Sequence, residues 1–302
     1  MKYGGLVIIL NYKIVLQYDG THYNGWQKQG NTKNTIQGKL EEILSKYFDQ
    51  EIELHGSGRT DAGVHAMGQV ANFKVDNEKI ENGKCGISPD KRTDKSGDAA
   101  VEKIKNELNL FLPEDIKILS LKQADNRFHA RLNAVKKEYR YYISLDKKRD
   151  VFGRKYMAEL ENPEKLDIEK MKNASLRFLG EHDFQGFSDN KSKKSTIRRI
   201  DGIEFRLHKP QDLSDCDKKD NDCHGIGGNT DASLKCGGYI EIIFRGNGFL
   251  YHTVRLIVGT LLAVGMGEIS ENMVDDIFDS RDRRKVPYMA PAQGLFLYNV
   301  EY

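Results

Sequence analysis

The chain has 302 residues, 47 Lys+Arg against 45 Asp+Glu, 30% charged and 38% hydrophobic residues, and a mean hydropathy of −0.63. A chain of this size buries roughly three quarters of the surface it exposes when unfolded, which excludes a disordered tail or a disulfide miniprotein. A net charge of +2 identifies no partner, because a basic face can be cancelled in the sum by acidic residues elsewhere.

Residues 1–12 read as an N-terminal extension, shorter than a secretory signal core and without a small-x-small cleavage site. Ile14, Leu16 and Tyr18 alternate with polar neighbours as in a half-buried strand that ends at Asp19-Gly20. Ile36, Leu40, Ile43, Leu44, Tyr47 and Phe48 recur at three and four, one face of a helix opened by the cap candidates Asn34 and Thr35. A strand at Ile52 to Leu54 enters the glycine-rich segment Gly56 to Gly63, and another follows over Val70 to Val75. Residues 76–97 turn polar and read as an inserted loop, and Val101, Ile104, Leu108 and Phe111 then mark a short helix stopped by Pro113.

Strands are expected at Ile116 to Leu119 and Ala134 to Leu145, a helix at Asp167 to Phe178, and a strand at Thr196 to Leu207. Residues 208–238 read as a second insertion. After it come a strand at Tyr239 to Phe244, an almost wholly apolar helix at Phe249 to Val264, a shorter one at Asn272 to Phe278 and a closing strand at Leu295 to Val300. The order lacks the strict alternation of a doubly wound sheet, so the expected class is α+β, with a mixed, mainly antiparallel central sheet, flanking helices and two pseudo-repeated halves. The halves are placed at 13–145 and 146–302. No run approaches the ~20 apolar residues of a membrane span.

The densest constellation is His55-Gly56-Ser57-Gly58-Arg59-Thr60-Asp61-Ala62-Gly63-Val64-His65. Its glycines let backbone approach a ligand closely while Arg59 and Asp61 project from the same loop. No Gly-Lys-Ser/Thr closes it, so it is not a phosphate loop, and its glycine spacing misses the dinucleotide fingerprint. A plain alternative makes Asp61 an Asx-turn residue with Arg59 as its surface counterion. Cys85, Cys216, Cys223 and Cys236 form no CxxC pair, which points to a reducing, cytoplasmic setting. Cys216, Cys223, His224 and Cys236 fit no common zinc spacing, and no metal is expected.

Basic residues mix with aromatics at Arg127 to Arg131 with Lys136 to Tyr142, while Lys191 to Arg199 and Arg281 to Lys285 are basic runs. Cations neutralise phosphates and aromatic faces stack on unpaired bases, a combination suited to RNA, although alternation along a strand would bury some of the tyrosines as core. Arg255 sits at the start of the apolar helix. It either meets a carboxylate, for which Asp61 is the natural candidate, or snorkels to the surface.

Taken in order, Tyr18-Asp19-Gly20-Thr21 with Gly25-Trp26-Gln27, Gly58 to Ala66 with Gly68-Gln69-Val70, Phe128-His129-Ala130-Arg131, Tyr139-Arg140-Tyr141, Gly180-Glu181-His182-Asp183-Phe184, the Gly248 to Gly259 helix start and Ala290-Pro291-Ala292-Gln293-Gly294-Leu295 resemble the tRNA pseudouridine synthase A family. The resemblance runs from near residue 13 to the C-terminus. It implies the pseudouridine synthase fold and an isomerase that converts uridine to pseudouridine at positions 38, 39 and 40 of the tRNA anticodon stem-loop, by base flipping and without cofactor or metal. It further implies Asp61 as catalytic nucleophile, Arg255 as its partner, Tyr139 against the target base, Arg59 holding the flipped state and Leu295 bordering the uracil pocket. A cytoplasmic homodimer with tRNA as partner is implied as well. Whether Asp61 attacks C1', attacks C6 or takes a ribose proton is open at this level, and the insertions and extension fall outside the pattern. Two other classes compete with this reading: an RNA-binding module that keeps the scaffold without chemistry, and a synthase directed at other RNA positions.

Overall fold

A computed structural model describes residues 9–76, 94–146, 151, 153–189, 194–208 and 238–302. The N-terminal extension up to residue 8, nearly all of both insertions, and Cys85, Cys216, Cys223, His224 and Cys236 lie outside the described residues. The chain forms two compact units, Met1–Ala134 with Tyr302, and Val135–Glu301.

In the first unit β1 (Ile9–Tyr18) pairs antiparallel with both β3 (His65–Asp76) and β4 (Ile116–Ala124), and the short β2 (Leu54–Gly56) pairs antiparallel with β3. Tyr12, Ile14 and Leu16 alternate onto one buried face, as the two-residue period of a strand requires. Helix α1 (Ile36–Phe48) buries Ile36, Leu40, Leu44 and Phe48. Its Phe48 ring meets Phe73 at 5.8 Å, and Phe73 meets Tyr12 at 5.6 Å. Thr35 caps the helix, its side chain accepting from Gly38 N at 3.2 Å. Helix α2 (Asp94–Phe111) begins well before Val101. Its first turns lack apolar periodicity, so they read as part of the insertion.

In the second unit the strand order is β9-β5-β8-β7-β6, every pairing antiparallel. The strands are β5 (Lys136–Ser144), β6 (Gly180–Asp183), β7 (Ile197–His208), β8 (Tyr239–Gly246) and β9 (Leu295–Glu301). The helices are α3 (Ile168–Ser175), α4 (Thr253–Gly265) and α5 (Met273–Ser280). The expected α+β class with mainly antiparallel sheet holds in both units. The helix read as beginning at Phe249 starts at Thr253, because His252 takes the left-handed φ of 67° and breaks the turn before it. Strand β6 carries Gly-Glu-His-Asp and has no apolar alternation to announce it.

One face of the strands in the second unit is a closed ladder of charge. Arg140 joins Glu138 and Glu241 at 2.8 Å each, Arg245 joins Glu138 at 2.7 Å and Glu204 at 3.0 Å, and the Tyr298 ring lies 3.3 Å from the Arg140 guanidinium carbon. Opposite charges satisfied in this way allow a sheet face to carry arginines without a net positive field. Helix α4 is by contrast mostly apolar beyond Arg255, with Leu256, Ile257, Val258 and Leu261 fully buried. No helix among the described residues is long and apolar enough to cross a membrane.

Gly259 marks the closest crossing of α4, since a Cβ there would lie 2.0 Å from Tyr288 O. Gly259→Ala should therefore cost about 1–3 kcal/mol of unfolding free energy. Gly202, in open space, is the control, and Gly202→Ala should change stability by no more than about 0.5 kcal/mol. Urea titration of both variants checks this, and equal stabilities would contradict the packing described.

Candidate active site

The loop between β2 and β3 carries Arg59 and Asp61, and residues on both sides of Asp61 are fastened. Ser57 is fully buried; its Oγ donates to Gln69 Oε1 at 2.7 Å, Gln69 Nε2 donates to Gly58 O at 3.0 Å, and Ser57 N donates to Val70 O at 2.7 Å. Thr60 O accepts from Trp26 N at 3.0 Å, and Thr60 Oγ1 shares a 2.8 Å hydrogen bond with Tyr18 OH. Burial drives the Tyr18 phenol far above its usual range, so it stays protonated for that bond. Val64 N closes a turn onto Asp61 O at 3.2 Å, and Gly63 supplies a φ of 76°.

Two segments distant in sequence wrap this turn at backbone contact. A Cβ on Gly20 would fall 2.0 Å from Val64 O, and one on Gly25 would fall 2.6 Å from Thr60 O. The Tyr18-Asp19-Gly20-Thr21 and Gly25-Trp26-Gln27 pieces are thus the jaws that hold the loop. Asp61 is half-buried and Arg59 is exposed. Arg59 Nε donates to Gln27 Oε1 at 3.0 Å, which ties its side chain to the jaws.

In the second unit, Tyr139 on β5 is buried and meets Phe249 edge-on at 5.2 Å. Arg255 lies in the first turn of α4. It is bound to Ala290 twice, Arg255 Nε donating to Ala290 O at 2.8 Å and Ala290 N donating to Arg255 O at 3.0 Å. The next residue, Pro291, accepts at its carbonyl from Tyr141 OH at 2.8 Å. Burial raises the Tyr141 phenol, with the Arg255 charge pulling the other way. A Cβ on Gly294 would lie 2.8 Å from the Tyr141 ring, and Leu295, the register partner of Tyr141, is buried at the start of β9. The Ala290 to Leu295 motif is therefore a brace that fixes Arg255, Tyr141 and Leu295 together, and the helix-start guanidinium is held by a carbonyl of that brace.

Several positioning groups escape sequence reasoning. His252 Nδ1 lies 2.6 Å from Asp189 Oδ2, and Asp189 Oδ1 lies 3.0 Å from Arg283 Nε. Burial opposes ionisation of Asp189, but His252 and Arg283 outweigh it and lower its pKa. This chain fixes the residue before α4 in its left-handed conformation. The Arg281 to Lys285 run, read from sequence as a basic RNA-facing cluster, is largely spoken for: Arg281 pairs with Asp183, Arg283 with Asp189 and Arg284 with Asp282. In the same way Tyr141 and Tyr142 belong to the core and Arg140 to the ion-pair ladder. The Gly180 to Phe184 motif is also a brace, with Asp183 Oδ1 accepting from Thr196 Oγ1 at 2.5 Å and the His182 ring stacked 4.7 Å from Phe278.

The sequence profile of tRNA pseudouridine synthases matches residues 14–133 and 174–302. The chain belongs to the tRNA pseudouridine synthase family. Relatives include tRNA pseudouridine synthase A 2 of Bacillus cereus, 36% identical over 293 residues covering 97% of this chain and 99% of the relative. The tRNA pseudouridine synthase A proteins of a Bacillus species and of Thermoanaerobacter pseudethanolicus are 40% and 38% identical over the same 97% and 99% shares. Pseudouridine synthases are isomerases: the uracil ring leaves C1' at N1 and returns through C5. Among the described residues no group of three or more His, Cys, Asp or Glu is placed to hold a metal ion.

Asp19, in the jaws, supplies a pH test. Burial alone would raise its carboxyl, but hydrogen bonds from buried His65 and from Thr21 N and Oγ1, at 2.9 and 2.5 Å, hold it well below the usual carboxylate range. His65 Nδ1 lies 3.1 Å from both Asp19 Oδ1 and Gly20 N. A carboxyl depressed in the folded state stabilises above its unfolded pKa of about 4 and loses that contribution as pH falls further. Asp19→Asn should therefore be less stable than the parent at pH 7, with the gap closing on acidification below pH 4. Denaturant melts at both pH values check this, and a constant gap would contradict it.

Proposed function

We propose that this synthase isomerises uridine to pseudouridine at positions 38, 39 and 40 of the tRNA anticodon stem-loop, acting as a cytoplasmic homodimer without metal or cofactor. The observation that carries the reading is the clamped turn of Asp61: an acidic side chain presented from a loop whose neighbours are locked by buried hydrogen bonds and glycine-permitted contacts. A nucleophile held in one orientation reacts at an effective concentration far above that of a mobile one.

In this reading the target nucleotide leaves the helical stack and its uracil enters the site, where base chemistry becomes reachable. Asp61 is the nucleophile. The guanidinium of Arg255 keeps the carboxylate ionised and aimed, and its planar two-pronged shape matches a carboxylate in a way an ammonium does not. Tyr139 packs against the uracil, Leu295 borders the base and Arg59 holds the flipped state. Asp61 forms a bond to C1' of the sugar or C6 of the base, the C1'–N1 bond breaks, the uracil turns, a C1'–C5 bond forms, the bond to Asp61 breaks again, N1 gains a proton and the C5 hydrogen is lost to solvent. Apolar walls keep water from intercepting the detached base.

Incubation of the purified chain with unmodified tRNA transcripts, followed by nucleotide-resolution mapping, tests the assignment. Pseudouridine at positions 38 to 40 is expected; product confined to other positions overturns the positional reading, and binding without product overturns the enzymatic one. Arg255→Lys should lower the single-turnover rate by about a hundredfold, the order expected on losing one preorganised electrostatic contact. A full rate in that variant would remove Arg255 from the proposed role.

A further inference from the structure

A second polar cluster lies on the first unit, among residues given no catalytic role above. His55 pairs in register with Asn72 across β2 and β3, so Lys74, two residues along β3, emerges on the same sheet face as His55. Asn72 is buried on that face and anchors the 125–133 segment. Its Oδ1 accepts from Ala130 N at 2.8 Å and its Nδ2 donates to Asn11 Oδ1 at 3.1 Å. Asn11, also buried, donates through Nδ2 to the carbonyls of Asp125 and Phe128 at 2.8 and 2.9 Å. Tyr302 OH adds a 2.7 Å bond to Ala130 O.

This anchor sets the His129 ring over that of His55, with centroids 5.1 Å apart and planes 25° from parallel. His129 Nδ1 accepts from Arg131 N at 3.1 Å, which leaves Nε2 as the proton-bearing edge of the neutral ring. Lys74 and Arg131 are exposed and, among the described residues, neither side chain has an ion-pair partner. Glu53 lies 3.8 Å from His55 Nδ1 and is 79% exposed, where solvent screens it. Burial, then the neighbouring His55, Arg131 and Lys74, lower the His129 pKa. The two stacked imidazoles thus share this face with Lys74 and Arg131, whose charges act on His129, and with one exposed carboxylate, Glu53. An anion offsets those positive charges, and the phosphodiester is the anion an RNA substrate offers in quantity.

We propose that the stacked His55–His129 pair, with Lys74 and Arg131, is a binding site for a backbone phosphodiester of the RNA substrate, and that the pair takes up a proton when the phosphate binds. The proposal rests on the reading of this chain as a tRNA-modifying enzyme and adds a contact that the isomerisation chemistry does not require. Protonation of His129, disfavoured in the free protein by burial and neighbouring charge and restored by the bound anion, links affinity to pH. Affinity rises as pH falls through the histidine range and levels off once the free site is itself protonated.

The test is fluorescence anisotropy of a labelled, unmodified tRNA transcript with the full chain, from pH 8 to pH 5.5 at constant salt, with circular dichroism at each pH. The parent should bind several-fold more tightly at the acid end. The doubly substituted His55→Asn, His129→Asn chain should lose most of that gain, because Asn keeps an acceptor for Arg131 N and cannot take up a proton. Lys74→Gln should keep the pH dependence and lower the slope of log affinity against log salt by about one. A double variant with the parent's pH dependence overturns the proposal. If the parent then still forms pseudouridine, the enzymatic reading stands without this site. A parent that fails to bind tRNA at all overturns both.

Discussion

Van der Waals exclusion at three glycines does more to define this protein's chemistry than any attractive contact. The turn that presents Asp61 exists in its observed shape because Gly20 and Gly25 bring backbone against Val64 O and Thr60 O, and because Gly56 accepts the Trp26 ring where a Cβ would fall at 2.6 Å. No side chain fits at these points. Close approach then makes the hydrogen bonds possible: Trp26 N reaches Thr60 O and the Tyr18 phenol reaches Thr60 Oγ1. A loop rich in glycine would be mobile alone, and here its entropy is removed by contacts from two other segments. The second unit uses the same device at Gly259 and Gly294, which bring the 288–295 segment against α4 and Tyr141.

Charge has two distinct uses. Most arginines of the second unit are consumed in closed pairs, such as the Arg140–Glu138–Arg245–Glu204 ladder and the Arg283–Asp189–His252 chain. Such pairs order the sheet face and the start of α4, and they add little outward field. In the first unit, Lys74 and Arg131 have no ion-pair partner among the described residues, the pattern expected of groups kept for an external anion. The near-zero net charge of the whole chain conceals this difference, since it sums over both uses.

The strands and helices that bury one face were legible because burial imposes a period. Tyr12, Ile14 and Leu16 announce β1, and Ile36, Leu40, Leu44 and Phe48 announce α1. What was not legible lacked such a period or depended on partners far along the chain. Strand β6 has no apolar residue to alternate, and the start of α4 is moved by one left-handed residue, His252, whose conformation is held by Asp189. The basic run at Arg281 to Lys285 could not reveal its pairing with Asp183 and Asp189, because ion pairs leave no periodic mark in sequence. The motifs themselves were visible as blocks, but their division of labour was not. Gly180 to Phe184 and Ala290 to Leu295 turn out to be braces, and Tyr18 to Thr21 with Gly25 to Gln27 the jaws of the Asp61 turn.

Release of the C5 hydrogen reports the isomerisation itself, independently of how tightly RNA is held. Time courses of tritium release from a tRNA transcript labelled at uridine C5, with transcript affinity measured alongside, should show release by the parent matching the pseudouridine formed. The Asp61→Asn chain should bind the transcript with near-parental affinity, since phosphate contacts dominate binding, and release no tritium. Parent-like release by Asp61→Asn would contradict the role given to the clamped carboxylate and, with it, the mechanism built on that turn.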